Sequence, residues 1–315
     1  MIKSSRGKKI AGALVGAVLA WSVSASVAFA QEITVKHAQG ETVLKDTPKR
    51  VLVQDMAIID ILDALGVDMT GNISNANLYP DYLKKYTADS YIKTGVMQEP
   101  DYETIAGANA DLMIVASRSA AKYKELSRIL PTINLTVNNQ EFLPNIQKNI
   151  TTLGEIFGKQ ARAAEMNAAL DAKFNELRSL TAENDSTAVV LVTNAGKLGI
   201  YGPKSRVGWI FTEAGFKPVL EGIDDRFHGG DTISFEFLLE HNPDWLFVID
   251  RDAGTGGGGA AKKLLDNELV SQTTAWKKDQ VVYLNPLESY LVMHGYTSVM
   301  NLTDAVMSAI KTAKQ

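Results

Sequence analysis

One stretch of this chain occurs twice, 133 residues apart. Glu103-Thr-Ile-Ala-Gly-Ala-Asn-Ala-Asp-Leu-Met-Ile-Val-Ala-Ser-Arg118 aligns without a gap on Glu236-Phe-Leu-Leu-Glu-His-Asn-Pro-Asp-Trp-Leu-Phe-Val-Ile-Asp-Arg251, sharing Glu, Asn, Asp, Val and Arg. Each copy reads as a short helix, an Asn-x-Asp turn and the continuous apolar run of a buried parallel strand. A duplicated unit of this kind restricts the chain to two similar α/β lobes. In open α/β sheets ligands bind beyond the carboxyl ends of the strands, so Arg118 and Arg251 are expected at matching rims, facing one cleft as an anion site. A single arginine after a strand is commonly a solvated surface residue. Two in register argue for a shared role.

The first thirty residues are expected to be removed. Lys3, Arg6, Lys8 and Lys9 form a basic start, Ile10 to Val27 is uncharged and mostly apolar, and Ala28-Phe-Ala30 is a small-x-small cleavage site after which an export signal would be cut. No later segment reaches the length of a membrane span. The chain has no cysteine, which removes thiol catalysis, thiolate metal sites, disulfides and the acylated cysteine of a lipoprotein. A freely diffusing monomer in the periplasm of a Gram-negative cell is the expectation. The formal charge is −4, and removing the signal takes four cations with it, leaving −8 over 285 residues. That balance excludes nucleic acid as a natural partner, and an anionic ligand would need a local cationic cluster.

Residues 31–158 read as a first α/β lobe, with strands near Ile33 to Lys36, Thr42 to Leu44 and Arg50 to Gln54, and a helix from Ile58 to Leu65 stopped by Gly66. Residues 159–183 carry one helical signal from Gln160 to about Glu183 without Gly or Pro, long enough to run from lobe to lobe as a stiff strut. Residues 184–315 form a second lobe that opens with the strand Ala188 to Thr193 and closes with a helix from about Ser298 to Lys314. The expected fold is α/β: two Rossmann-like lobes joined by a single long α-helix, with the ligand cleft between them and little hinge motion.

The export signal, the Pro100-Asp-Tyr-Glu-Thr-Ile block, the Ser234-Phe-Glu-Phe-Leu-Leu block and the linking helix resemble the helix-linked periplasmic binding proteins that feed siderophores, haem or cobalamin to ABC importers. Within that family the chain looks most like the catecholate-siderophore receptors of the CeuE and VctP type, which take up ferric enterobactin and its linear fragments. The resemblance implies three cleft arginines, falling on Arg118, Arg206 and Arg251, and two residues that bind ferric ion directly when the siderophore leaves two positions vacant, falling on His228 and Tyr290. Glu288 and His294 are the substitutes near Tyr290. It also implies that a glutamate on each lobe, Glu103 and Glu236, docks on the membrane permease, although a carboxylate at a helix start also suits the helix dipole alone. No intrinsic cofactor is implied. The ferric ion arrives as part of the cargo.

The chemistry of these residue types agrees. A ferric tris-catecholate is a trianion, and guanidinium is an always-charged fork that meets catecholate oxygens and stacks on rings. A bis-catechol supplies four oxygens to an octahedral ion, leaving room for a phenolate and an imidazole. Haem or another ferric chelate is the alternative cargo, since His and Tyr also ligate haem. A metal-dependent hydrolase is the reading from a different class, but the sequence has no Gly-x-Ser-x-Gly elbow or paired His-carboxylate motif. Gly254-Thr-Gly-Gly-Gly-Gly259 lacks the Gly-Lys-Ser/Thr ending of a phosphate loop and reads as a mobile flap beside Arg251. Trp209, Phe227 and Tyr296 are possible aromatic walls, although core packing is the commoner fate of such residues, and His241 reads as structural.

Overall fold

The computed structural model describes residues 32–182, 185–223 and 229–314. The expected signal segment and His228 lie outside the described residues. No helix among the described residues is long and apolar enough to cross a membrane.

A hairpin, Ile33–His37 with Gly40–Leu44, precedes the first sheet. That sheet is fully parallel and runs in the order Ile92–Lys93, Gly71–Asn72, Val51–Val53, Leu112–Val115, Thr132–Asn134. Its central strands are buried on both faces, which is why they are written as unbroken Val, Leu, Met and Ile. The helix Met56–Leu65 starts on Asp55, whose carboxylate accepts the Ala57 and Ile58 N–H groups, and stops at Gly66, whose φ of 69° a side chain would oppose.

The second sheet is mixed. Thr187–Asn194 pairs in parallel with Trp245–Asp250, which pairs in parallel with Val281–Tyr283. On its other side Thr187–Asn194 pairs antiparallel with Lys197–Tyr201, which pairs antiparallel with Asp231–Ile233. The doubled segment occupies the same place in each sheet. Tyr102–Gly107 leads into Leu112–Val115, and Phe235–His241 into Trp245–Asp250. The repeated Asn is left-handed in both copies, Asn109 at φ 49° and Asn242 at φ 41°, a conformation asparagine tolerates better than most. The repeated Asp pins the neighbouring strand: Asp111 accepts the Lys49 and Arg50 N–H groups at 2.7 and 2.9 Å, and Asp244 accepts that of Thr187 at 2.9 Å.

The linking helix Gln160–Thr181 packs on Phe142–Ile156 and on the C-terminal helix Tyr296–Ala313. Trp209 is 2% exposed and stacks on Phe142 at 6.2 Å, with Phe174 of the linking helix edge-on to both. It therefore belongs to the core that ties the lobes together, not to a cleft wall. The C-terminal helix also packs against Met56–Leu65 of the first lobe. Asp60, fully buried there, accepts the Thr297 and Ser298 N–H groups at 2.7 and 3.0 Å and so caps that helix across more than two hundred residues of sequence. Gly295 permits this approach, because a Cβ there would stand 2.6 Å from the Asp60 carboxyl group.

Candidate functional site

Each copy of the repeat ends by turning its arginine out of the sheet. After Leu112–Val115 the chain enters the short 3-10 helix Ser117–Lys122, and after Trp245–Asp250 it enters the single helical turn Arg251–Gly254, capped by Asp250 through the Ala253 N–H. Arg118 and Arg251 thus leave corresponding strand ends of two lobes. Arg206 comes from the loop after Lys197–Tyr201.

All three arginines meet at one ring. The guanidinium carbons of Arg118, Arg206 and Arg251 lie 5.2, 5.6 and 5.6 Å from the Tyr290 ring centroid, within cation–π range. Arg251 Nε donates to the Tyr290 hydroxyl at 2.8 Å and its Nη1 donates to Asn194 Oδ1 at 2.6 Å. Arg118 Nη2 donates to the Tyr290 carbonyl at 2.7 Å, so a first-lobe cation is bonded to the backbone of the segment carrying the tyrosine. Arg206 also lies 5.9 Å from the Tyr201 ring.

Tyr290 is only 5% exposed. Glu288–Val292 forms a π-helical turn, wider than an α-helix, and all five of its residues are buried. Gly254 packs directly against this turn, where a Cβ would meet the Pro286 carbonyl oxygen at 2.6 Å and Tyr290 Cβ at 3.2 Å. The segment after Gly254 reaches the first lobe: Thr255 and Gly256 share a cavity of about 380 Å³ with Ser74, Asn75, Asn77 and Leu78. A larger cavity of about 560 Å³ lies within the second lobe, lined by Phe235, Leu264 and Leu269 among others and by none of the arginines, so it is not the anion site.

Gathering cations out of water has visible electrostatic effects. Burial, followed by the nearby Arg206 charge, holds the Arg118 guanidinium below its usual value, although arginine stays charged in any accessible range. Burial pushes the Asp55 carboxyl up to about 6 while its backbone donors and Arg118 pull the other way. Burial pushes the Tyr201 hydroxyl up to about 12. His294 is pushed down to about 3, first by burial and then by the positive charges of Arg206 and Arg118, so it is neutral, and its Nε2 has no partner among the described residues. Glu288 is buried and accepts from Asn301 Nδ2 at 2.7 Å.

The remaining expected residues lie apart from this centre. Glu103 and Glu236 are exposed, each the second residue of its helix, after the capping side chains of Asp101 and Ser234. The Glu236 backbone N–H and the Ser234 side chain hold the Glu236 carboxyl below its usual range. His241 bonds to the Phe237 carbonyl and stacks on that ring, a structural placement. Phe227 lies outside the described residues. Asn194, which orients Arg251, was not singled out in the sequence; the only signal is its position at a strand end before Ala195-Gly196.

Two α/β lobes joined by a long helix, with a cationic and aromatic centre between them, define a two-lobed ligand receptor. The chain belongs to the periplasmic binding protein family, whose profile matches residues 51–287. It is 32% identical to the petrobactin-binding protein YclQ of Bacillus subtilis over 89% of both chains, and 32% identical to the ferric-anguibactin-binding protein FatB of Vibrio anguillarum over 89% of this chain and 88% of that protein. The crystal structure of YclQ superposes with a TM-score of 0.84, covering 89% of this chain and 99% of that one. The periplasmic catecholate-siderophore binding protein VctP of Vibrio cholerae superposes with a TM-score of 0.82 at 29% identity, covering 90% of this chain and 100% of that one. These relatives are binding proteins rather than enzymes, and the chain is a binding protein of the same family.

Proposed function

We propose that this protein captures a ferric catecholate siderophore, enterobactin or its linear bis- and tris-catechol derivatives, in the periplasm and delivers it to an inner-membrane ABC permease. The observation that carries this reading is the convergence of Arg118, Arg206 and Arg251 on the Tyr290 ring. Three guanidiniums match the charge of a ferric tris-catecholate and present both forks for oxygens and planes for rings. The likeness to VctP supports the catecholate class. In this reading residues 31–158 and 184–315 are the lobes and 159–183 their link. Tyr290 and His228 fill the two iron positions that a bis-catechol leaves open, and Glu103 and Glu236 meet the permease.

The test is a tryptophan-fluorescence titration against ferric catecholates, a ferric hydroxamate, haem and cobalamin. Quenching by catecholates at sub-micromolar concentration is expected. Quenching by haem with a Soret band, or by the hydroxamate alone, would replace the catecholate reading.

A further inference from the structure

The Tyr290 ring occupies the place among the arginines that the catecholate reading gives to a ligand ring. It is the common neighbour of three guanidiniums, its hydroxyl accepts from Arg251 and its carbonyl from Arg118, and it is almost wholly buried. A phenol differs from a catechol by one hydroxyl group. We infer that Tyr290 is a built-in surrogate for a catechol ring, holding the arginine cradle so that metal-free catechols are rejected and only a metal-loaded complex displaces or recruits it. The inference rests on the catecholate reading of the site.

The physical basis is competition. A ring tethered to the cradle acts at a high effective concentration, which a free catechol offering one ring and little charge must overcome. A ferric complex competes on other terms. Its charge engages all three arginines at once, and a ferric ion with open positions bonds the phenol oxygen instead of evicting it. The same residue therefore discriminates loaded from unloaded siderophore. Simple packing does not account for the arrangement, since a core tyrosine needs one partner for its hydroxyl and not three cations around its ring.

The experiment measures binding of metal-free 2,3-dihydroxybenzoate and of gallium(III) enterobactin by calorimetry to wild type, Tyr290→Phe and Tyr290→Ala. Tyr290→Ala is expected to bind the metal-free catechol at least tenfold more tightly than wild type, and Tyr290→Phe, which keeps the ring, no more tightly. An alanine variant that binds the gallium complex but gains nothing for the free catechol overturns the surrogate role alone. A wild type that binds no gallium complex overturns the catecholate reading with it. Should Tyr290→Ala fail to fold, 19F NMR of fluorotyrosine-labelled wild type, with the Tyr290 signal assigned by Tyr290→Phe, decides the matter. That signal is expected to move with the gallium complex and to stay with the free catechol at equal concentration, and movement with both overturns the inference.

Discussion

Arg251 Nε donates to the Tyr290 hydroxyl at 2.8 Å while Nη1 of the same guanidinium is held by Asn194 at 2.6 Å. One cation is thereby fixed from two sides before any ligand arrives. Such preorganisation lowers the ordering cost of binding. Arg251→Ala is expected to weaken ferric catecholate binding by about 1.5–3 kcal/mol, the usual range for a hydrogen bond to a charged group, or roughly 10- to 150-fold. Arg251→Lys, which restores charge but not the fork, should recover only part of the loss in the same fluorescence titration.

The capping carboxylate of the C-terminal helix gives a pH prediction. Asp60 is fully buried, and burial pushes its carboxyl up to about 6 despite the donors Thr297, Tyr82 and Ser298. A folded-state value above the unfolded one, about 3.9, means stability that is fully present below about pH 4 and is lost as pH rises through about 6. Denaturant unfolding should show this decline between about pH 4 and 7, and Asp60→Asn should make it shallower while lowering stability at the acid end, where its amide nitrogen cannot accept. An Asn variant with the wild-type slope would count against the assignment.

Transport separates the two ends of the repeat. Glu103→Arg and Glu236→Arg are expected to leave ferric catecholate affinity in solution unchanged, because both residues are exposed and neither is among the groups around Tyr290. Uptake of radiolabelled iron by cells carrying the variants should fall sharply. Normal uptake by both would mean the carboxylates serve only their helix starts.

The doubled segment made the strands, the Asn-x-Asp turns and the strand-end positions of two arginines legible, because each depends on local pattern and on strand direction. The meeting of those arginines on one phenol was not legible. It requires the π-helical turn Glu288–Val292, whose widened geometry leaves no periodic trace, and a first-lobe arginine reaching a residue 172 positions away. Trp209 is a different case: an aromatic residue offered as a possible wall takes the commoner fate of core packing, against Phe142 and Phe174. His294 stood out only by nearness to Tyr290, and its burial beside two arginines depends on tertiary packing.

The linking helix and the aromatic contact across it should limit closure. Small-angle scattering profiles of the free and ferric-catecholate-bound protein are expected to nearly coincide. A large decrease in radius of gyration on binding would show a hinge that the helix Gln160–Thr181 does not restrain.

The most direct test compares wild type with Tyr290→Phe in titrations by a ferric bis-catechol and by hexadentate ferric enterobactin, following fluorescence and visible absorption together. Wild type is expected to bind both, and the loss of the phenol oxygen should weaken the bis-catechol complex and shift its charge-transfer band while scarcely altering the hexadentate one. Equal loss for both ligands would reduce Tyr290 to a lining residue, and the absence of quenching by either would contradict ferric catecholate binding itself.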